Sequence, residues 1–180
     1  MEPSESALAA RARRAYERGR LQAALWRALP LVPLVAWTLG WCRYPTLAAV
    51  CGIGLFGLTV AFAWRGQTWG RAIAPGLLAG LPPFVLPLLM RGASEVCVGE
   101  MCCSLCLLGC VSGGVVAGLL VGRRAAARPE GRGAFLASAG ALALLAGAPA
   151  CAFAGIIGLA GLLLGFAAGS APPLLARAPA

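Results

Sequence analysis

Five of the eight cysteines in this 180-residue chain fall in one stretch, VCVGEMCCSLCLLGC, at residues 96–110. Thiols are both soft metal ligands and nucleophiles, so several chemistries are open to the stretch. Cys102, Cys106 and Cys110 recur every four residues and would share one helical face. Cys103 and Cys106 make a Cys-x-x-Cys at a helix start, where the helix N-terminus lowers a thiol's pKa. Thiolates in this pattern suit Zn, Cu(I) or Hg(II), and Glu100 adds a carboxylate. The same Cys103 and Cys106 could instead exchange a disulfide, with a third cysteine resolving it. Cysteine also serves as a small polarizable apolar filler. Spacing alone does not choose among these, so the elements that carry the thiols must be placed.

The inventory narrows the field first. Every base is Arg and every acid is Glu, with no His, Lys or Asp. Lacking His, the chain lacks the commonest metal ligand and the usual general base. Any site must be built on Cys, Glu or the backbone, and no enzymatic activity is expected. The chain is 60% hydrophobic and 12% charged, with a mean hydropathy of +0.84. Soluble domains run near ~25% charged, so the deficit points to a lipid bilayer. The abundance of Ala, Gly, Arg and Pro matches a GC-rich bacterial genome, and the membrane is read as a bacterial inner membrane. A net charge of +9 could suggest nucleic acid, but Arg collects at cytoplasmic helix ends in any membrane protein. No direct nucleic-acid partner is expected.

A transmembrane helix needs about 20 mostly apolar residues. Six candidates are present, at about 28–41, 46–64, 72–90, 101–122, 134–148 and 150–170. The first is short unless it starts near Leu21, with Arg27 reaching back to the interface. The last two form one apolar run, split here at Gly147-Ala148-Pro149. Placing the N-terminus inside leaves only Arg43 and Arg91 in the outer turns and the other thirteen arginines inside. The positive-inside rule then puts both termini in the cytoplasm. The expected fold is an all-α polytopic transmembrane bundle, with residues 1–27 as a basic cytoplasmic arm and 28–175 as the membrane domain. The start of the chain does not read as a signal peptide.

No span contains an acid, and no base lies near a midplane. Proton-coupled carriers, ion pumps and voltage sensors depend on such charges, so these classes are disfavoured. Pro75, Pro82, Pro83 and Pro87 crowd the third span, which is expected to be kinked or broken. Small residues let membrane helices approach closely. Gly114, Gly118 and Gly122 on the fourth span and Gly161, Gly165 and Gly169 on the sixth form such stripes, so these spans should touch along their cytoplasmic halves. Self-association into a homodimer is another use for them. Gly52 and Gly57 give the second span a looser version.

In this topology Cys42, Cys97 and Cys151 each occupy an outer turn. Cys102, Cys103 and Cys106 cap the fourth span at the same level, and only Cys51 and Cys110 lie deeper. The outer face of a bacterial inner membrane is oxidising. Disulfides such as Cys97–Cys151, or Cys42 to the fourth span, would staple the outer turns, whereas Cys102 and Cys106 on one helix are poor partners. Connectivity is not readable from sequence. On the inner side, residues 4–27 read as a helix entering the first span. Leu8, Tyr16 and several alanines fall on one side, and Arg11, Arg13, Arg14, Glu17, Arg18 and Arg20 on the other. A charged helix with a small-residue face suits docking of a cytoplasmic protein. Arg11, Arg14, Tyr16 and Arg18 are the candidate contacts, and an ordinary basic membrane flank is the alternative.

The arm at 4–27, Cys102 or Cys103 with Cys151 on the outer side, and the final run LLLGFAAGSAPPLL at 162–175 together resemble the six-span membrane anti-sigma factors of proteobacteria. That resemblance implies an arm that holds a sigma factor and outer cysteines that take part in receiving a signal. The additional cysteines and very short outer turns depart from the pattern. The expectation is therefore a signalling or regulatory protein that senses redox state or a soft metal such as Zn or Cu(I) through outer thiolates. The alternatives are a small transporter for thiophilic metal ions and a membrane thiol oxidoreductase.

Overall fold

The computed structural model describes residues 5–41, 45–93, 101–128, 130–151 and 155–176, and among these all regular structure is helical. The helices are α1 (Glu5–Ala28), α2 (Leu31–Trp41), α3 (Pro45–Arg65), α4 (Gln67–Gly70), α5 (Ile73–Ala93), α6 (Met101–Ala126), α7 (Arg132–Cys151) and α8 (Gly155–Leu175). Among the described residues, four stretches are long and apolar enough to cross a membrane: α3, Cys106–Ala126 of α6, α7 and α8. Ile73–Leu86 of α5 is apolar but shorter. At 11 residues, α2 rises about 16 Å, well short of the roughly 30 Å hydrocarbon core.

Two expectations about helix breaks are corrected. The apolar run at 134–170 does not break at Gly147-Ala148-Pro149. Instead α7 continues through Pro149 to Cys151, and α8 begins at Gly155 with φ 69°. Of the two outcomes expected for the third span, kinked or broken, a break does not occur: α5 is continuous from Ile73 to Ala93. Pro75 stands in the first turn, where its missing N–H is not needed. At the interior positions each proline deletes one donor, whereas ending the helix would leave several carbonyls without intrahelical partners. Continuation leaves fewer groups unpaired.

The packing is small inside and large outside. Ala48, Ala79, Ala117, Ala125, Ala139 and Ala143 are buried, while Ile53, Leu108, Ile156, Ile157 and Leu164 are exposed. Small residues on facing helices let the backbones approach closely. Two parallel helix pairs show this. In one, α6 lies along α8: a Cβ added to Gly114 would stand 2.5 Å from the Leu162 carbonyl oxygen, and one on Gly118 would collide with that of Phe166. From the other side, Gly165 faces the Val111 carbonyl and Gly169 that of Val115, while Gly161 meets Leu107 and Gly122 meets Ser170 and Pro173. The two glycine stripes thus interdigitate, and the expected contact between these helices is present, with glycine contacts on α8 from Gly161 to Pro173. In the other pair, Gly76 and Gly80 of α5 rest on Ala139 and Ala143 of α7. Gly52 abuts Val35 of α2, whereas Gly57 has open space around it.

The arm is anchored at its C-terminal half. Ala24 and Ala28 are buried, and Arg20 donates from Nη2 to the Trp64 carbonyl in the last turn of α3. That carbonyl is one that the helix end leaves without an intrahelical partner. Gly66, at φ 67°, turns the chain there, and its N–H bonds the Phe62 carbonyl at 3.0 Å. The far half of α1 is exposed and carries an Arg13–Glu17 pair at 3.1 Å.

Candidate functional site

Pro83 is the point on which α5, α6 and α7 converge. Its ring fits a notch between Gly113 of α6 and Gly147 of α7. A Cβ on Gly113 would stand 2.6 Å from Pro83 Cα, and one on Gly147 would stand 2.8 Å from Pro83 Cβ. Any side chain at either glycine would push α5 away. The Pro83 carbonyl is the acceptor that the N–H of residue 87 would serve in an α-helix, but residue 87 is proline and has none. Cys151 supplies a replacement: its thiol donates to the Pro83 carbonyl at 3.8 Å.

Cys151 also meets Cys110. Both are fully buried and pack in one cluster with Leu162 of α8. The two cysteines are neighbours in that buried cluster, and both are thiols rather than a disulfide. Each cysteine ends or interrupts a stripe of small residues on its helix. On α6, Cys102, Cys106, Cys110, Gly114, Gly118 and Gly122 recur at four-residue intervals, as do Ala139, Ala143, Gly147 and Cys151 on α7. A four-residue step advances 400° around a helix with 3.6 residues per turn, so such a stripe drifts slowly around the helix. Gly114 and Gly118 therefore face α8, while Cys110, further back along the stripe, reaches α7 as well.

The other candidates are placed as follows. Cys106 lies one turn before Cys110 and is half-buried, and Cys51 of α3 is buried. Cys102 and Cys103 stand in the first turn of α6. Cys42, Cys97 and Glu100 lie outside the described residues, so the proposed staples through Cys42 and Cys97 do too. Cys151 differs from its expected place in an outer turn, because it closes α7 and is 0% exposed. Arg11, Arg14, Tyr16 and Arg18 of the arm are all exposed. Among the described residues, no three side chains of His, Cys, Asp or Glu come together as a metal site. Four-coordinate zinc would thus need ligands beyond this pair.

The pairing of Cys110 with Cys151 was not foreseen from sequence. The four-residue rhythm of each helix was its only trace there. Two adjacent thiols can be joined by oxidation or bridged by a soft ion, and little else at this site is reactive. No family model, curated protein or solved structure matches the chain.

Proposed function

We propose that the chain is a bacterial inner-membrane signalling protein without enzymatic activity. In this reading it crosses the bilayer six times with both termini in the cytoplasm, and its thiols respond to redox state or a soft metal. A first crossing of Leu21–Trp41, joining the end of α1 to α2, and α5 would complete the six. The skew of arginines, thirteen against two, supports that orientation.

The observation that carries the reading is the contact of Cys110 with Cys151 beside Pro83, where α5, α6, α7 and α8 meet. A bond made or a ligand held there changes the fit of four helices at once, and only a ligand that distinguishes two packings can shift them. Arg11, Arg14, Tyr16 and Arg18 would present the output by holding a cytoplasmic regulator such as a sigma factor. The seam favours sensing over transport. Beyond Cys110 the path down α6 is closed by the approach of Gly114 to Leu162 and Gly118 to Phe166, which leaves a carried ion no next ligand. Burial of both sulfurs likewise disfavours a thiol oxidoreductase, whose thiol must be reached by its substrate.

Deleting residues 1–18, which spares Arg20, tests the output. A cytoplasmic protein that co-purifies with the intact chain should be lost from the truncated one. Its retention would remove the arm from the mechanism.

A further inference from the structure

The ligand class of the buried pair follows from charge balance. Residues 73–90, 101–122, 133–151 and 155–175, which form the surroundings of the pair, contain no charged side chain. A bound species that keeps a net charge would be left uncompensated in an apolar interior, which strongly disfavours it. A monovalent soft ion between two thiolates carries a charge of −1. A divalent ion between two thiolates is neutral. Zinc satisfies the charge but calls for four ligands, and the described residues bring two thiols and no third candidate ligand into such a group.

We infer that Cys110 and Cys151 form a two-coordinate site for a soft divalent metal ion, mercury(II) being the representative, held as a neutral bis-thiolate. The exchange balances without an oxidant. A neutral metal dichloride and two thiols give the bis-thiolate, two protons and two chlorides. The two S–H bonds and two metal–chloride bonds break, two metal–sulfur bonds form, and no atom changes oxidation state. The approach is also consistent with the burial. Both sulfurs are 0% exposed, which closes them to a protein disulfide, while a small neutral dihalide can enter an apolar interior. Cys106 lies one turn nearer the start of α6 and is half-buried. This deepens the signalling reading by naming the ligand of the same pair, but its test reads ion retention and is indifferent to the arm.

The full-length protein in detergent is loaded with mercury(II) chloride, challenged with excess glutathione and alkylated. Protected cysteines are then mapped by mass spectrometry. Cys110 and Cys151 should stay protected together, with one ion per chain and two sulfur neighbours by X-ray absorption at the metal. With Cys42, Cys97, Cys102, Cys103 and Cys106 changed to Ser and Cys51 to Ala, the ion should remain. Adding Cys110→Ser or Cys151→Ser should let about 100-fold less glutathione remove it, because the second bond is then no longer intramolecular. Silver(I) should be displaced more readily than mercury(II). Alkylation of both cysteines under the challenge, a third sulfur at the metal, equal retention by the single-cysteine variants or by silver, or a Cys110–Cys151 disulfide in freshly extracted membranes would each overturn the inference. The protection map of the unaltered protein decides the matter even if a variant fails to fold.

Discussion

The Cys151 thiol donates to the Pro83 carbonyl, the acceptor that Pro87 leaves without its helical donor. A side chain of α7 thus supplies one hydrogen bond that proline removes from α5, and the residue that does so also packs beside Cys110. The reactive group and the helix packing are therefore one structure. Anything that bonds to Cys151 competes with the carbonyl of a neighbouring helix.

This relationship can be measured with a double-mutant cycle. Cys151→Ala should destabilise the protein by about 1–2 kcal/mol, from the lost hydrogen bond and the space left behind. In a Pro87→Ala background residue 87 regains an N–H for the Pro83 carbonyl, so the same change should cost less. A coupling of about 1 kcal/mol between the two positions is expected, read by reversible unfolding in detergent. Strict additivity would show that the carbonyl is served some other way.

The interdigitated stripes give a contrast between glycines. Gly118→Ala drives a methyl group into the Phe166 backbone carbonyl, whereas Gly57→Ala enters open space. The first should cost about 1–3 kcal/mol, as overpacking does when backbone must move. The second should be neutral or stabilising by up to about 1 kcal/mol through helix propensity. Unfolding midpoints of the two variants check this directly.

Gly155 isolates conformation from packing. Nothing lies within 4 Å of an added Cβ there, but its φ is 69°. Gly155→Ala should therefore cost about 1 kcal/mol purely through the left-handed backbone. Gly133→Ala, equally unobstructed and not in that conformation, should cost nothing measurable in the same assay.

Arg20 ties the arm to the bundle through the Trp64 carbonyl. Arg20→Ala should release about 1 kcal/mol of that attachment. Amide exchange should then speed up across the C-terminal half of α1, and α6–α8 should be unchanged. Arg20→Lys, which keeps a charged donor, should restore part of the protection.

What the sequence conveyed depended on how local the determinant was. The long helices of α3, α6, α7 and α8 follow from runs of apolar residues, and the glycine stripes of α6 and α8 could be read from a single repeated interval. The break between α7 and α8 could not, because hydropathy is level across Gly147–Gly155 and proline at 149 was the most conspicuous local signal. The rule that proline ends helices failed at Pro82, Pro83 and Pro149, because an interior proline removes one donor whereas a helix end leaves several carbonyls unpaired. The site was the least legible. Cys110 and Cys151 are 41 positions apart, and only the arrangement of α6 against α7 brings them together. The two helices carry the same four-residue rhythm, but a rhythm does not name its partner. The second seam, Gly76 and Gly80 against Ala139 and Ala143, escaped for the same reason.

Along both seams glycine already lies against the neighbouring backbone, so the helices have no closer arrangement to move into. The bundle can respond to an arriving atom only by separating. An occupant of the sulfur pair would act as a wedge, and its size would set how far the helices part.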